Sequence, residues 1–385
     1  MPRRHSLVLA VMFAIQSAAM ASPLAISNPA EIATVATSRL DFELYGANDP
    51  IDVMKASKSW SDHVRCCQGN NFALFQTKLE LAGDAKGWRL GVFHRRDALA
   101  QGNDDVIRLA PLLDRGDVLT PGSTYDVDYR MEYFAANGVR LGRAMAFDAG
   151  GLGKFRSGVA LSYLRGTRVR LEHGAGHADV ATADKLSFYG IRERLDSGLN
   201  TGDPNQFNPY VREGNPSGDG FSTDVGISWE LPQGVKINAV VSDLGARIRW
   251  RDIPQTVTAG AVTYDNNGKL VGAENGAASL VEQDSRVAVT QRLKEKWLVN
   301  ASAPFGAYRA LAELSYIDGL WIPQIGGAYV VNERTTVGLS YDTRFKAWQM
   351  QMSWLGLGLS LYASDLNLAR ASALGLAVHT AGKGL

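Results

Sequence analysis

At 385 residues the chain is long enough for two or three soluble domains or for one long all-β barrel. Its net charge of +1 excludes binding to nucleic acid through overall charge. Its 45% hydrophobic content and mean hydropathy of −0.12 suit a soluble protein, and equally a membrane barrel whose strands dilute apolar residues with polar ones.

The chain opens MPRRHSLVLAVMFAIQSAAMAS. Arg3 and Arg4 precede a short apolar core from Leu7 to Ile15, and Ala19-Met20-Ala21 forms an A-x-A cleavage site. This predicts a signal peptide over residues 1–21, because the apolar run falls far short of the ~20 residues that span a bilayer. No later run is long enough for a transmembrane helix. The expected states are a soluble exported protein or a barrel in the outer membrane of a Gram-negative bacterium.

Residues 22–70 carry one candidate strand, LDFELYG at 40–46. They are expected to form a plug inside a lumen or a periplasmic leader. Cys66 and Cys67 are the two cysteines and are adjacent. Neighbouring Cα atoms lie ~3.8 Å apart, below the usual disulfide range of roughly 4.4–6.8 Å. A vicinal disulfide would be a strained, redox-labile ring; otherwise both are reduced or pair with other chains.

From residue 71 a period of two dominates, the signature of strands whose successive side chains face opposite ways. Phe75, Thr77, Leu79 and Leu81 oppose Gln76, Lys78 and Glu80. Tyr125, Val127, Tyr129, Met131 and Tyr133 oppose Asp126, Asp128, Arg130 and Glu132. Asn137-Gly138 follows and predicts a hairpin turn. Val159, Leu161 and Tyr163 form a further row. Val169 and Leu171 oppose Arg168, Arg170 and Glu172. Val225, Ile227 and Trp229 oppose Asp224 and Glu230. Later rows run through Val337, Leu339 and Tyr341, through Leu355 to Leu361, and through Leu374, Leu376 and Val378.

A soluble β-sandwich would turn the apolar rows inward, whereas a membrane barrel turns them to lipid and the charges to its lumen. Strands of about 9–11 residues favour the barrel. So do aromatics at strand ends, namely Tyr125, Tyr133, Trp229, Trp250, Trp348 and Trp354. Short turns at 135–138 and 232–234 against long polar loops at 98–122 and 195–218 point the same way. The expected fold is all-β, a transmembrane antiparallel barrel of about 12–16 strands over 71–385.

In VGISWELPQGVKINAVVSDLGARIRW, residues 225–250, the alternation slips by one near Ser242 to Gly245. One extra residue, a β-bulge suited to Gly245, would keep Leu244, Ala246, Ile248 and Trp250 on the lipid side with Val235, Ile237, Ala239 and Val241. Arg247 and Arg249 would then turn inward. Facing lipid near midplane, each would cost roughly 2–4 kcal/mol.

Asn28-Pro29-Ala30, placed just after the signal peptide and ahead of the strands, resembles the N-terminal element of a superfamily of outer-membrane barrels. That superfamily includes the fatty-acid transporter FadL, the secretion barrel PorV and the conjugation-associated TraF-like barrels. VSDLGARIRW is similar to a segment of the TraF-like branch. The chain departs from the barrel pattern by ending HTAGKGL, without a terminal aromatic. The resemblance implies a monomeric barrel of about 14 strands with its N-terminal segment in the lumen. It implies lateral passage of small hydrophobic molecules, or an accessory role in secretion, conjugation or envelope assembly. Asn28, Pro29, Ala30, Ser242, Asp243 and Gly245 are then candidate gate residues.

Asp126, Asp128, Arg130, Glu132, Arg168, Arg170, Glu172, Asp224, Glu230, Lys236, Arg247 and Arg249 are the expected lumen lining. Their mixed signs suit a pairing network at least as well as a selective pore, which carries a bias of sign. His173 and His177 in EHGAGHAD suit a flexible turn better than a metal site, since Gly-Ala-Gly between them opposes a helix. Arg115-Gly116-Asp117 matches an adhesion tripeptide that chance explains better. No motif for a catalytic nucleophile, phosphate loop or zinc protease stands out, so the expectation is a non-enzyme without cofactor or metal. The expected partners are outer-membrane lipid and small hydrophobic ligands. An exported soluble sandwich or adhesin is the remaining alternative.

Overall fold

The alternating rows fold as strands, and three of these, over 124–148, 154–182 and 236–265, are far longer than the sequence pattern suggests. The computed structural model describes residues 23–55, 64–65, 71–198, 216–265, 270–272 and 281–383. The predicted signal peptide, Cys66 and Cys67 lie outside the described residues.

In chain order the strands are β1 Thr37–Asn48, β2 Asn71–Ala85, β3 Trp88–Gly102, β4 Thr124–Asp148, β5 Lys154–Thr182 and β6 Lys185–Asp196. They continue with β7 Ser217–Glu230, β8 Lys236–Asp265, β9 Leu270–Gly272, β10 Val281–Arg292, β11 Lys296–Phe305 and β12 Tyr308–Ile317. The last are β13 Leu320–Asn332, β14 Thr335–Asp342, β15 Ala347–Trp354, β16 Leu357–Ala363 and β17 Ala373–Lys383. Helix α1, Asp104–Arg115, lies between β3 and β4.

Neighbours pair antiparallel, and β1 pairs both β2 and β17, which closes the wall without an edge. Strand β5 pairs β7 along its first part and β6 along its second, so β6 and β7 share one position in the wall. Strands β10 and β11 likewise share one position beside β8. With β9 as an appendage, the barrel has 14 strand positions.

Thr37 and Lys383 lie at one end, with tight connections such as 86–87, 306–307 and 355–356. The opposite, loop end carries 49–55, 103–123 and 364–372. The wall begins at β1, inside the segment expected to precede the barrel. Asn137-Gly138 is not a turn; it sits in the middle of the 25-residue β4. A Cβ on Gly138 would fall 2.2 Å from the Phe93 ring, so the glycine makes room for a neighbour's side chain.

Around the turn-end half the outer surface is apolar. Leu81, Leu90, Val92, Leu141, Leu161, Trp297, Trp321 and Met350 are exposed on it. A closed wall with an apolar band of this extent is stable in lipid and not in water. No described helix is long and apolar enough to cross a membrane; the chain crosses with strands, as a transmembrane β-barrel.

Toward the loop end the polarity inverts. Phe93, Phe134, Leu164, Val169, Leu195, Ile248, Trp250 and Ile253 pack together inside. Trp250, expected in an interfacial girdle, is enclosed at 1% exposure, its ring lying where Cβ atoms on Gly166 and Gly218 would be. Its Nε1 donates to Gln291 Oε1 at 3.0 Å.

Five expected lumen residues therefore face the other way. On β5 the register shifts near Thr167, so Val169 turns inside and Arg168, Arg170 and Glu172 turn outside. On β8 two slips occur against β7, between Val241 and Arg247, and together they add two residues to β8, which restores its parity. Asp243 and Gly245 both take positive φ, +61° and +62°. Ser242 and Asp243 both turn inward and Leu244 and Gly245 both outward, after which Ala246, Ile248 and Trp250 are inside. Arg247 and Arg249 stand outside, Arg247 over the Phe221 ring at 4.8 Å.

Candidate lumen constriction and wall break

The N-terminal segment lies inside the barrel. Asn28 caps the short turn Pro29–Glu31, its Oδ1 accepting from Ala30 N at 2.9 Å and its Nδ2 donating to Ile227 O at 3.1 Å. Three glycines on adjacent strands make the seat. A Cβ on Gly158 would be 2.3 Å from Pro29, one on Gly226 2.1 Å from Asn28 Oδ1, and one on Gly142 2.7 Å from Ile32. Any other residue there would displace the segment. Leu24 and Ile26 join Tyr45, Phe72, Leu74, Leu298, Ile317 and Tyr362 in an apolar cluster that fills the other side of the interior.

Between these parts lies a layer of paired charges. Arg95 donates to both carboxylate oxygens of Asp243 at 2.8 Å and also pairs with Asp97. Lys296 reaches Asp97 at 2.9 Å, and Ser222 donates to Asp243 at 2.8 Å. Arg140 joins Asp224 and Glu80, while Lys78 reaches Glu80 at 2.8 Å and Ser27 Oγ at 2.7 Å. Arg89 grips Asp84 with two bonds of 2.6 and 2.8 Å. Five bases (Lys78, Arg89, Arg95, Arg140, Lys296) balance five acids (Glu80, Asp84, Asp97, Asp224, Asp243). In a desolvated interior such pairs must balance, because a lone buried charge costs several kcal/mol, roughly.

Asp224, expected on the lumen face, points into the lumen, and the gate candidates Ser242 and Asp243 line the same space. Gly245 faces outward, with nothing near its Cβ direction. Arg130 and Glu132 form a second network nearer the loop end, Arg130 with Asp318 at 2.5 Å and Lys294 with Glu132 at 3.1 Å and Asp318 at 3.3 Å. Asp126 and Asp128 share their inner row on β4 and are exposed. Glu230 is exposed at the turn end, in register with Lys236, which pairs with Glu31. Arg95, Asp97, Arg140 and Lys296 escaped the sequence reading. On β3 the run His94-Arg95-Arg96-Asp97 has no alternation of polarity, so nothing marks which of its charges point inward.

Two cavities of about 30 Å³ flank the charge layer. One is polar and reaches Ser27, Ser222 and Ser242. The other lies between the two apolar clusters, lined by Leu74, Leu99, Phe134, Leu293 and Ile317 above Arg95, Asp97 and Lys296. Each has room for about one water, far below the roughly 300–1,000 Å³ of a ligand site.

Beside them the wall is irregular. Strand β8 pairs β11 up to Ser242 and β10 from Arg247 onward. Across 243–246 one bond remains, Leu293 N to Ala246 O at 3.0 Å. Opposite, 293–295 leaves strand geometry and sends Leu293 and Lys294 into the lumen.

His173 and His177 lie within β5, not in a turn. His177 stacks on Tyr189 at 5.1 Å, and among the described residues no group of three His, Cys, Asp or Glu could hold a metal. Arg115-Gly116-Asp117 is the end of α1, where Gly116 caps the helix at φ +67°.

Solved structures similar to this chain include the Pseudomonas putida toluene transporter TodX, 10% identical with a TM-score of 0.43, covering 94% of this chain and 91% of that one. The Ralstonia pickettii toluene transporter TbuX is 10% identical, with a TM-score of 0.32 and coverages of 93% and 92%. A Pseudomonas aeruginosa FadL homologue is 7% identical, with a TM-score of 0.22 and coverages of 92% and 90%. These neighbours are FadL-family outer-membrane barrels. Likeness at this level says nothing of what this chain carries. No curated protein matches the sequence. A family model described as a family of unknown function (DUF5723) matches residues 73–369, about three quarters of the chain, and the chain belongs to that family.

Proposed function

We propose that this protein is an outer-membrane channel for small hydrophobic molecules, closed in the state described here. The observation that carries the reading is the coincidence of three features at one height: the interrupted ladder at 243–246, the inward kink at 293–295, and the apolar cavity behind them. A straight path to the turn end is blocked by the charge layer and by the seated segment around Asn28, Pro29 and Ala30. A sideways path needs neither to leave. Movement of 293–295 would enlarge the cavity toward lipid, with Leu244 and Gly245 at the outer edge.

A second reading, a non-transporting accessory barrel of a secretion, conjugation or envelope system, is favoured by the filled interior. Two apolar clusters and a balanced ion-pair layer rigidify a wall as well as they close a pore.

Uptake of labelled fatty acids and small aromatics by cells lacking the gene separates the two. The channel reading expects slower uptake, restored by the wild-type gene and not by a variant lacking Leu244 and Gly245. Uptake unchanged across the panel overturns it and leaves the accessory reading, which pull-down of envelope partners would then test.

A further inference from the structure

We infer that the outer rim of the barrel between β5 and β10 is a binding site for phosphate groups of an anionic lipid in the leaflet at the loop end. Arg165, Arg247, Arg249 and Arg292 all stand exposed on the outer face. The register places them side by side. Arg165 is opposite Asp219, Asp219 opposite Arg249, and Phe221 opposite Arg247, which is in turn opposite Arg292. Neighbouring strands lie about 4.8 Å apart, so the four guanidinium groups share one patch.

Each stands just loop-ward of the apolar band. Leu161 and Tyr163 precede Arg165 on β5, and Leu244 precedes Arg247 on β8. Among the described residues none of the four forms an ion pair. The one acid within the patch, Asp219, accepts from Tyr163 Oη at 2.6 Å. Four cations against one engaged acid leave a positive excess where lipid headgroups meet the wall.

The opposite half of the rim lacks this. There Tyr316 packs against Trp321 at 4.5 Å and Tyr341 against Trp348 at 4.9 Å, the aromatic edge that suits any lipid interface. The basic half therefore has its own chemistry. Arginine forks match phosphate oxygens bidentately, and basic groups at a membrane surface gain from anionic headgroups. The occupant is a phosphorylated lipid held by its acyl chains against the band and by its phosphates against the arginines.

The test uses the detergent-purified full chain titrated with lipid A in mixed micelles, with phosphatidylcholine micelles, and with inorganic phosphate alone. The expected result is saturable binding of lipid A that weakens as salt rises. The combined variant R165Q, R247Q, R249Q and R292Q is expected to lose on the order of a thousandfold in affinity. Its barrel should still migrate as folded in gels run without heating. Should the fourfold variant not fold, Arg249→Gln alone, with its salt dependence, gives the same readout. Binding of phosphatidylcholine or free phosphate as tight as that of lipid A overturns the inference. So does wild-type binding indifferent to salt, or folded variants that bind as wild type.

Discussion

Along β5 and β8 the turn-end and loop-end halves wear their apolar residues on opposite sides. Near the turn end, Leu161, Tyr163 and Val225 face out and Ser162, Asp224 and Ser242 face in. Near the loop end, Val169, Ile248 and Trp250 face in and Arg168, Arg247 and Arg249 face out. The two strands reach this inversion differently. On β5 the odd row Val159, Leu161, Tyr163 faces out and the odd row Val169, Leu171 faces in, because one extra residue near Thr167 rotates the strand between them. On β8 the two slips add two residues, so even positions face inward before and after, and the sequence itself moves its apolar residues from odd to even. The lesson is that a strand's apolar side follows the medium at each height, lipid outside the turn-end half and water outside the other.

The sharpest way to break this comparison is to change parity on β8. Deleting Gly245 alone would turn Ile248 and Trp250 outward and drive Arg247 and Arg249 into a dry interior. Each unpaired charge there costs several kcal/mol, roughly, and no folded barrel is expected. Deleting Leu244 and Gly245 together preserves parity and should leave a folded barrel. Heat-modifiable migration in gels separates the outcomes; a folded single-deletion barrel would refute the assignment of faces.

Next in size is Trp250→Ala. The ring fills a groove formed by Gly166 and Gly218, and its removal leaves a cavity that glycine neighbours cannot close. The expected loss is about 3–5 kcal/mol in denaturant titration of the refolded protein. A loss below 1 kcal/mol, roughly, would place the ring outside the packed interior.

This inversion also marks where the sequence was legible. Alternation says which residues share a face, and those groupings hold in Val159 to Tyr163 and in Asp224 to Glu230. The strand character of 40–46 and the final strand through Leu374 to Val378 also hold. What alternation cannot say is which face is inside. With lipid assumed along the whole strand, the slip before Arg247 looked like a bulge that protects arginines from lipid. It is instead the height at which lipid ends. The site was legible in part. Asp224, Ser242 and Asp243 belong to the constriction, but Arg95, the partner of Asp243, comes from a strand far away in sequence and sits in a run without alternation.

Leu161→Arg sharpens the comparison from the lipid side. Leu161 is 58% exposed within the band, four residues before the native Arg165. A charge there is expected to cost up to about 2–4 kcal/mol. Gly226→Ala probes the interior of the same half. Its Cβ would overlap Asn28 Oδ1 and Pro29, at an expected cost of about 1–3 kcal/mol. The N-terminal segment should become open to protease while the wall stays closed; an unchanged digestion pattern would refute the seat.

The smallest effect expected is that of Arg249→Leu, and its smallness is informative. If the arginine lay in the lumen among paired charges, its loss would leave a buried acid without a partner and cost about 3–5 kcal/mol. If it faced hydrocarbon at midplane, replacement by leucine would stabilise the barrel by about 2–4 kcal/mol. At a rim bathed by headgroups and water neither term is large, and stability in neutral detergent should change by about 0–1 kcal/mol. Denaturant titration of the variant beside Leu161→Arg therefore maps the boundary between the two halves on one face of the wall. A large change of either sign at Arg249 would move that boundary past β8 and return the arginine to lipid or to the lumen.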